Sequence, residues 1–528
     1  MTSAVDRPRS SAPIHSPVID FVVGCAGWSL PFVVMVYSFP SIAQTWGLSL
    51  YTLALVLNYP HYMATIYRAY RTREDLSRYR VATVYVTVLL AAALLAAHLS
   101  YRLVPWLVTI YITWSPWHYM GQNFGIAMMF IHRNGVKIDR KDRNTLWAAF
   151  LASYLIVFLS LHAGVSDNPF VLSLGLPPYF AELRIPLMVV FAGAGMFVLG
   201  KLIRQAGWQL MLAPVTLYVT AFLWSVLPTL LELFKLSRTP QAFYSSGILA
   251  VMHCAQYLWI TNYYAQQEAK AENKPWQWPK YFAILVVGGI VLFVPGPWIT
   301  SYVLGRDFSL SGFAFVALIN IHHFILDGTV WKFRDKRVRA LLTSTGREAE
   351  NKVTPMWSTL AQSWRVAGAV AIAMLVGITG LDQIRYYLGS RLTNTSSMAM
   401  AADLNPYDSQ IQTRLGRAYA AREDRTRMES AFRKAIQTDP DNVEAQNAVA
   451  RVLLETGRYD EAYIHYKRMF ADTEPNAEAL MNFGALCQRL GRREEAIESF
   501  QRVLKKFPNY APAHALLAEM RGTYSDSR

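Results

Sequence analysis

Eleven stretches of this 528-residue sequence are predominantly apolar over 18 to 28 consecutive positions, and nothing else constrains the fold as strongly. A helix rises about 1.5 Å per residue, so about 20 such residues cross the hydrocarbon core of a bilayer. The runs lie near 18–40, 50–67, 81–99, 104–131, 146–164, 185–203, 209–234, 243–263, 281–304, 311–330 and 363–381. Only 16% of the residues are charged, against about a quarter in an ordinary soluble chain. The first run is too long for a signal-peptide core, and no small-x-small cleavage site follows it. Leu, Ile, Val and Phe are too abundant for a disordered chain, and three cysteines cannot build a disulfide framework.

The net charge of +15 is unevenly placed. Residues 401–528 hold 19 basic and 19 acidic residues, which leaves 32 basic and 17 acidic in the first 400. With a cytoplasmic N-terminus, the cytoplasmic segments (1–17, 68–80, 132–145, 201–208, 264–280, 331–352) carry 24 Lys and Arg. The opposite set (41–49, 100–104, 165–184, 235–242, 305–310) carries five. That asymmetry orients the spans, and its counter-charge is the membrane lipid rather than nucleic acid. Eleven spans then put the C-terminal region outside the cytoplasm, as expected for a bacterial inner-membrane protein.

The last 128 residues read differently. Phe432, Tyr466 and Phe500 recur every 34 positions, as do Gly416, Ala450 and Gly484. Ala462 and Ala496 match again, with Met428 in the corresponding slot, and Pro440, Pro475 and Pro508 close the units. Leu415-Gly416 with Tyr419, and Ala496 with Phe500 and Pro508, resemble the tetratricopeptide repeat over about 404–508, with 509–522 as a capping helix. The resemblance implies an α-solenoid that holds a protein or peptide partner on its concave face. A rigid spacer or a dimer contact is the alternative reading. The expected organisation is all-α: a polytopic bundle over 1–390, a linker over 391–403 and a repeat domain over 404–522.

Ionisable side chains inside spans are costly and mark functional sites. His61, His118, His253, His322 and His323 fall on the second, fourth, eighth and tenth spans, all running in one direction, so they share a layer. Each has a polar neighbour three or four residues away: Asn58 for His61, Gln122 for His118, Gln256 for His253, and Asp327 for His323. Asn58-Tyr-Pro-His61-Tyr-Met echoes Ser115-Pro-Trp-His118-Tyr-Met, with a proline opening the helix just before each histidine. Several imidazoles and one carboxylate suit a transition metal that keeps an open position. Asn58, Gln122 and Gln256 would orient the ligands, and Asp327 would complete the site or act in catalysis. His322 and His323 lie about 100° apart on a helix, and the sequence does not choose between them.

Iron outside a porphyrin is the first choice, with haem ligation and purely structural polar packing as the other readings. The leading function is an oxidoreductase or oxygenase acting on a hydrophobic lipid or isoprenoid. In architecture this resembles bacterial carotene-cleaving dioxygenases and membrane desaturases and hydroxylases, although the HxxxH and HxxHH clusters of desaturases are absent. A polytopic lipid-linked-sugar glycosyltransferase is the runner-up, but its acidic first outer loop has no counterpart in 41–49. A non-enzymatic scaffold or transporter is the third reading. His98, His132, His162, Glu232 and Asp20 sit at span ends, and Trp106, Trp114, Trp276, Trp278 and Trp298 read as interface anchors.

Overall fold

The computed structural model describes residues 13–38, 52–164, 171–236, 249–332, 335–343, 362–390, 394–472 and 476–525. Arg7 and Arg9, residues 41–49 and 165–170, and Pro475 lie outside them. Among the described residues the chain is helical, apart from an isolated bridge between Ala163 and Leu176. It divides into two compact units, 1–296 with 312–379 and 297–311 with 380–528.

The first unit contains helices α1 (Ser29–Ser38), α2 (Tyr59–Tyr70), α3 (Thr87–Leu99), α4 (Val104–Arg133), α5 (Arg140–His162), α6 (Arg184–Ala206), α7 (Trp208–Ala221), α8 (Leu249–Ala271) and α9 (Trp278–Phe293). The chain then forms α10 (Pro295–Leu304), α11 (Phe308–Val330) and α12 (Gln362–Ser390), which pass between the units. Seven helices are long and apolar enough to cross a membrane by length and composition: Val81–Leu99, Arg140–His162, Pro178–Ala206, Trp208–Leu233, Trp278–Leu304, Phe308–Val330 and Val366–Ser390. Each coincides with one of the expected runs. The remaining four runs include the helices bearing His61, His118 and His253, whose hydropathy is lowered by inward-facing polar residues such as Thr65, Asn123 and Gln256.

Glycines let these helices approach closely. A Cβ on Gly195 of α6 would strike the Tyr218 ring of α7, and one on Gly289 of α9 would strike the Tyr59 backbone of α2. Of the two prolines expected to open helices, Pro60 follows a π-helical turn over Ala54–Asn58. Pro116 instead sits inside a continuous α4.

The second unit begins earlier than the expected boundary at 390. Part of the expected linker forms α13 (Thr395–Leu404), whereas 391–393 lie outside the described residues. The reason is a buried ionic knot. Arg385 of α12 pairs with Asp382 at 2.9 Å and with Asp408, and Asp382 also accepts the Trp298 indole N–H at 3.2 Å. Asp307 accepts the Leu310 and Ser409 amides at 2.7 and 2.9 Å. Residues 297–311 and the end of α12 are therefore built into the base of the repeats.

The repeats follow as α14 (Ser409–Ala420), α15 (Arg425–Thr438), α16 (Val443–Glu455), α17 (Tyr459–Asp472), α18 (Ala477–Arg489), α19 (Arg493–Lys506) and α20 (Ala511–Ser525). Asp408, Asp424, Asn442 and Asn476 cap α14, α15, α16 and α18 through their side-chain oxygens. Gly416 and Gly484 face the rings of Phe432 and Phe500, so the 34-residue spacing places a small residue where each helix pair touches. Phe432, Tyr466 and Phe500 belong to one continuous core that runs on to Leu517 of α20.

Candidate functional site

His61 of α2, His118 of α4, His253 of α8 and His323 of α11 converge inside the first unit. Their side chains are only 1–8% exposed, and one ring nitrogen from each lies within 4.8 Å of the others. The Nε2 atoms of His61 and His253 are 3.1 Å apart, those of His253 and His118 3.1 Å, and those of His118 and His323 3.2 Å. The rings of His61 and His323, with centroids 4.3 Å apart, close the circle. Donors held about 2.0–2.1 Å from one ion stand about 2.9–3.4 Å from their neighbours, so this spacing fits a shared metal. Each Nε2 offers either one N–H or one lone pair. His253 and His118 each meet two such neighbours, and hydrogen bonds alone cannot satisfy both contacts. A cation taking one lone pair from each ring does.

Three of the four outer nitrogens have a polar neighbour on another helix, whereas His253 Nδ1 is buried with no hydrogen-bond partner among the described residues. His323 Nδ1 shares a hydrogen bond with the Thr65 hydroxyl at 3.0 Å, and Thr65 in turn meets the Tyr257 hydroxyl. Tyr257 donates to Asp327 at 2.6 Å and accepts from the Trp331 indole at 2.8 Å. The second Asp327 oxygen stands 3.6 Å from His118 Nδ1. His61 Nδ1 lies 3.3 Å from the Cys254 thiol, which donates to Asn58 at 3.1 Å. Such partners fix ring orientation and tautomer in metal-binding histidines.

The structure thus rearranges the expected same-helix pairs. Asp327 faces His118 rather than His323, and the Asn58 side chain reaches His61 by way of Cys254 while the Asn58 backbone meets the ring directly. Gln122 donates to Gln256 at 2.6 Å, and Gln256 donates to the Gly24 carbonyl and to Asn123, so neither amide side chain holds a ring. The cause is convergence: residues sharing a helix face all point at the bundle centre, where the nearest group belongs to another helix. His322 lies apart, hydrogen-bonded to Thr87 at 3.0 Å and to Tyr70 at 3.3 Å, because one residue turns it about 100° away from His323.

Thr65, Tyr257, Cys254 and Trp331 were missed by the sequence reading. A signal existed for two of them. Each clustered histidine is followed four residues later by a polar group: Thr65, Gln122, Tyr257 and Asp327. Since histidines and followers form two successive layers, α2, α4, α8 and α11 run parallel.

A cavity of about 520 Å³ adjoins the cluster. Its wall includes His118, Gln122, Tyr257, Asp327, Trp114 and Trp331, with apolar residues such as Met129 and Phe324. The other candidates are structural. His98 and His132 bond carbonyls one turn back, and His162 bonds Thr113. Asp20 accepts the Ile14 amide and the Trp259 indole, and Glu232 pairs with Arg184 at the surface. Among the expected tryptophan anchors, Trp106 and Trp278 are exposed, Trp114 lines the cavity, and Trp298 is buried in the second unit.

The first unit is defined by this histidine ring; the second is a helical repeat. Residues 413–477 and 477–510 match the tetratricopeptide repeat family, and this region is a set of such repeats. Over 106 residues the chain is 29% identical to anaphase-promoting complex subunit 3 of Schizosaccharomyces pombe, a match covering 20% of this chain and 16% of that protein.

Proposed function

We propose that the protein is an integral membrane metalloenzyme, an oxidoreductase or oxygenase acting on a hydrophobic substrate, with its repeats serving to dock a protein partner. The observation that carries this reading is the convergence of four buried imidazole nitrogens beside a largely apolar cavity. Iron is the metal we favour, since an all-nitrogen set with a nearby carboxylate in apolar surroundings suits dioxygen chemistry on lipids or isoprenoids. When bound, it would supply redox activation. The chain's own contribution is to orient it: Thr65 and Asp327 hold the outer faces of His323 and His118, and Trp114, Phe324 and Met129 keep water from the substrate.

In this reading all eleven apolar segments span the bilayer, with the N-terminus cytoplasmic and the repeats outside. A reporter fused after residue 528 tests that orientation, and cytoplasmic activity of the fusion would refute it. For the chemistry, membranes carrying the protein or its His118→Ala variant are extracted and their apolar lipids compared by mass spectrometry. Oxidised products that depend on His118 are expected. Identical profiles from metal-loaded protein and variant would refute the assignment.

A further inference from the structure

Resting on the reading of the histidine ring as the reacting centre, we propose that the cavity beside it is a slot for one extended apolar chain. That chain lies lengthwise along α4, with its reacting position near one end. The cavity is lined by one face of α4 from Trp114 through Trp117, His118, Gly121, Gln122, Gly125 and Ile126 to Met129. Those fifteen steps span about 22 Å of helix. The cavity of about 520 Å³ is thus bordered along that length of one helix.

The glycines carry the argument further. Glycine weakens a helix and in membranes is usually repaid by close helix contact. Gly195 and Gly289 are of that kind. Gly121, Gly125 and Gly328 are not: a Cβ added at any of them would meet nothing within 4 Å, and all three line the cavity. They keep a floor clear rather than admit a neighbouring helix. Gly121 and Gly125 lie one turn apart, beyond His118 on the side away from Trp114, so the cleared space is the long arm of the slot. His118 sits about 6 Å along the helix from Trp114 and about 16 Å from Met129. Asp327 and Gly328 face the same space from α11. The short arm ends at Trp114 and Trp117, and the long arm runs past Ile260 and Met129 to Leu342. The chemistry this recognises is a long flexible or polyene hydrocarbon, not a compact fused-ring lipid.

The test uses the full-length protein in lipid nanodiscs and the fluorescent polyene ester methyl cis-parinarate. Trp114, Trp117 and Trp331 on the wall act as energy-transfer donors to the bound polyene. Saturable transfer is expected from the unmodified protein. Gly121→Phe and Gly125→Leu should each weaken it about tenfold or more, corresponding to the loss of about 1.4 kcal/mol of binding. Gly193→Phe, an exposed control on α6 that also has open space at its Cβ, should leave it unchanged. Saturated methyl esters of increasing length should compete progressively better against the unmodified protein, and this gain should stop at shorter chains in Gly125→Leu. Equal binding by all variants overturns the slot, as does competition independent of chain length. Metal content, measured on the same samples, separates the two proposals. Metal with no saturable binding refutes the slot alone, and saturable binding without metal refutes the reading on which it rests.

Discussion

Asp327 accepts the Tyr257 hydroxyl at 2.6 Å with one carboxylate oxygen, while the other stands 3.6 Å from Nδ1 of His118. Through Thr65 the same chain of contacts reaches Nδ1 of His323. Two of the four clustered rings are therefore oriented by one polar strap built from α2, α8 and α11. Removing its carboxylate charge should weaken metal binding without dismantling the ring. Asp327→Asn is expected to lower metal affinity about 10–100-fold, measured by competition with a chelator. Affinity equal to that of the unmodified protein would show that the strap does not act on the metal.

The two adjacent histidines of α11 should behave differently. His323 points into the ring, whereas His322 bonds Thr87 and Tyr70. His323→Ala is expected to reduce metal content sharply, and His322→Ala to leave it unchanged. Elemental analysis of the two purified variants checks this directly.

In the second unit, Arg385 pairs with both Asp382 and Asp408, and all three are buried. Breaking a buried ionic group by removing one partner typically costs about 3–5 kcal/mol, because the remaining charges stay desolvated. Arg385→Ala should lower the thermal midpoint of the repeats by several degrees or more. Arg385→Met combined with Asp382→Asn and Asp408→Asn should be milder. Circular dichroism melting of the full-length variants reads both.

Asp439, between α15 and α16, is pushed up to about 7 by burial and then by the Asp307 charge. Asp307 is itself raised to about 6, chiefly by burial. The folded repeats thus hold protons that the unfolded chain releases near pH 4, so the stability these two carboxyls contribute is fully present below that pH and is lost as pH rises toward 7. Melting temperature should decline across this window, and Asp439→Asn should flatten the decline. An unchanged slope in that variant would remove Asp439 as its source.

Much of the architecture was legible in the sequence because it follows from period and length. The 34-residue recurrence of Phe432, Tyr466 and Phe500 marks helix pairs that bury one ring each against a small residue. Val81–Leu99 announces itself by uninterrupted hydropathy. The site was legible only as a layer: direction and depth brought His61, His118, His253 and His323 to one level. The contacts within it were not, since same-helix spacing cannot tell which neighbouring helix supplies the partner. Asp327 shares a helix face with His323 and yet meets His118. Nor were the ties of Asp307 to Ser409 and of Arg385 to Asp408 legible, over separations that no local pattern reveals.

Whether the four histidines hold one metal ion is read from the metal content of full-length protein purified without added chelator. Close to one transition-metal ion per chain is expected, iron in preference to zinc or copper. That ion should be lost in His61→Ala, His118→Ala, His253→Ala and His323→Ala, with folding retained by circular dichroism. Folded protein that contains no stoichiometric metal, and takes up none when iron, zinc or copper is supplied, would contradict a four-histidine metal site.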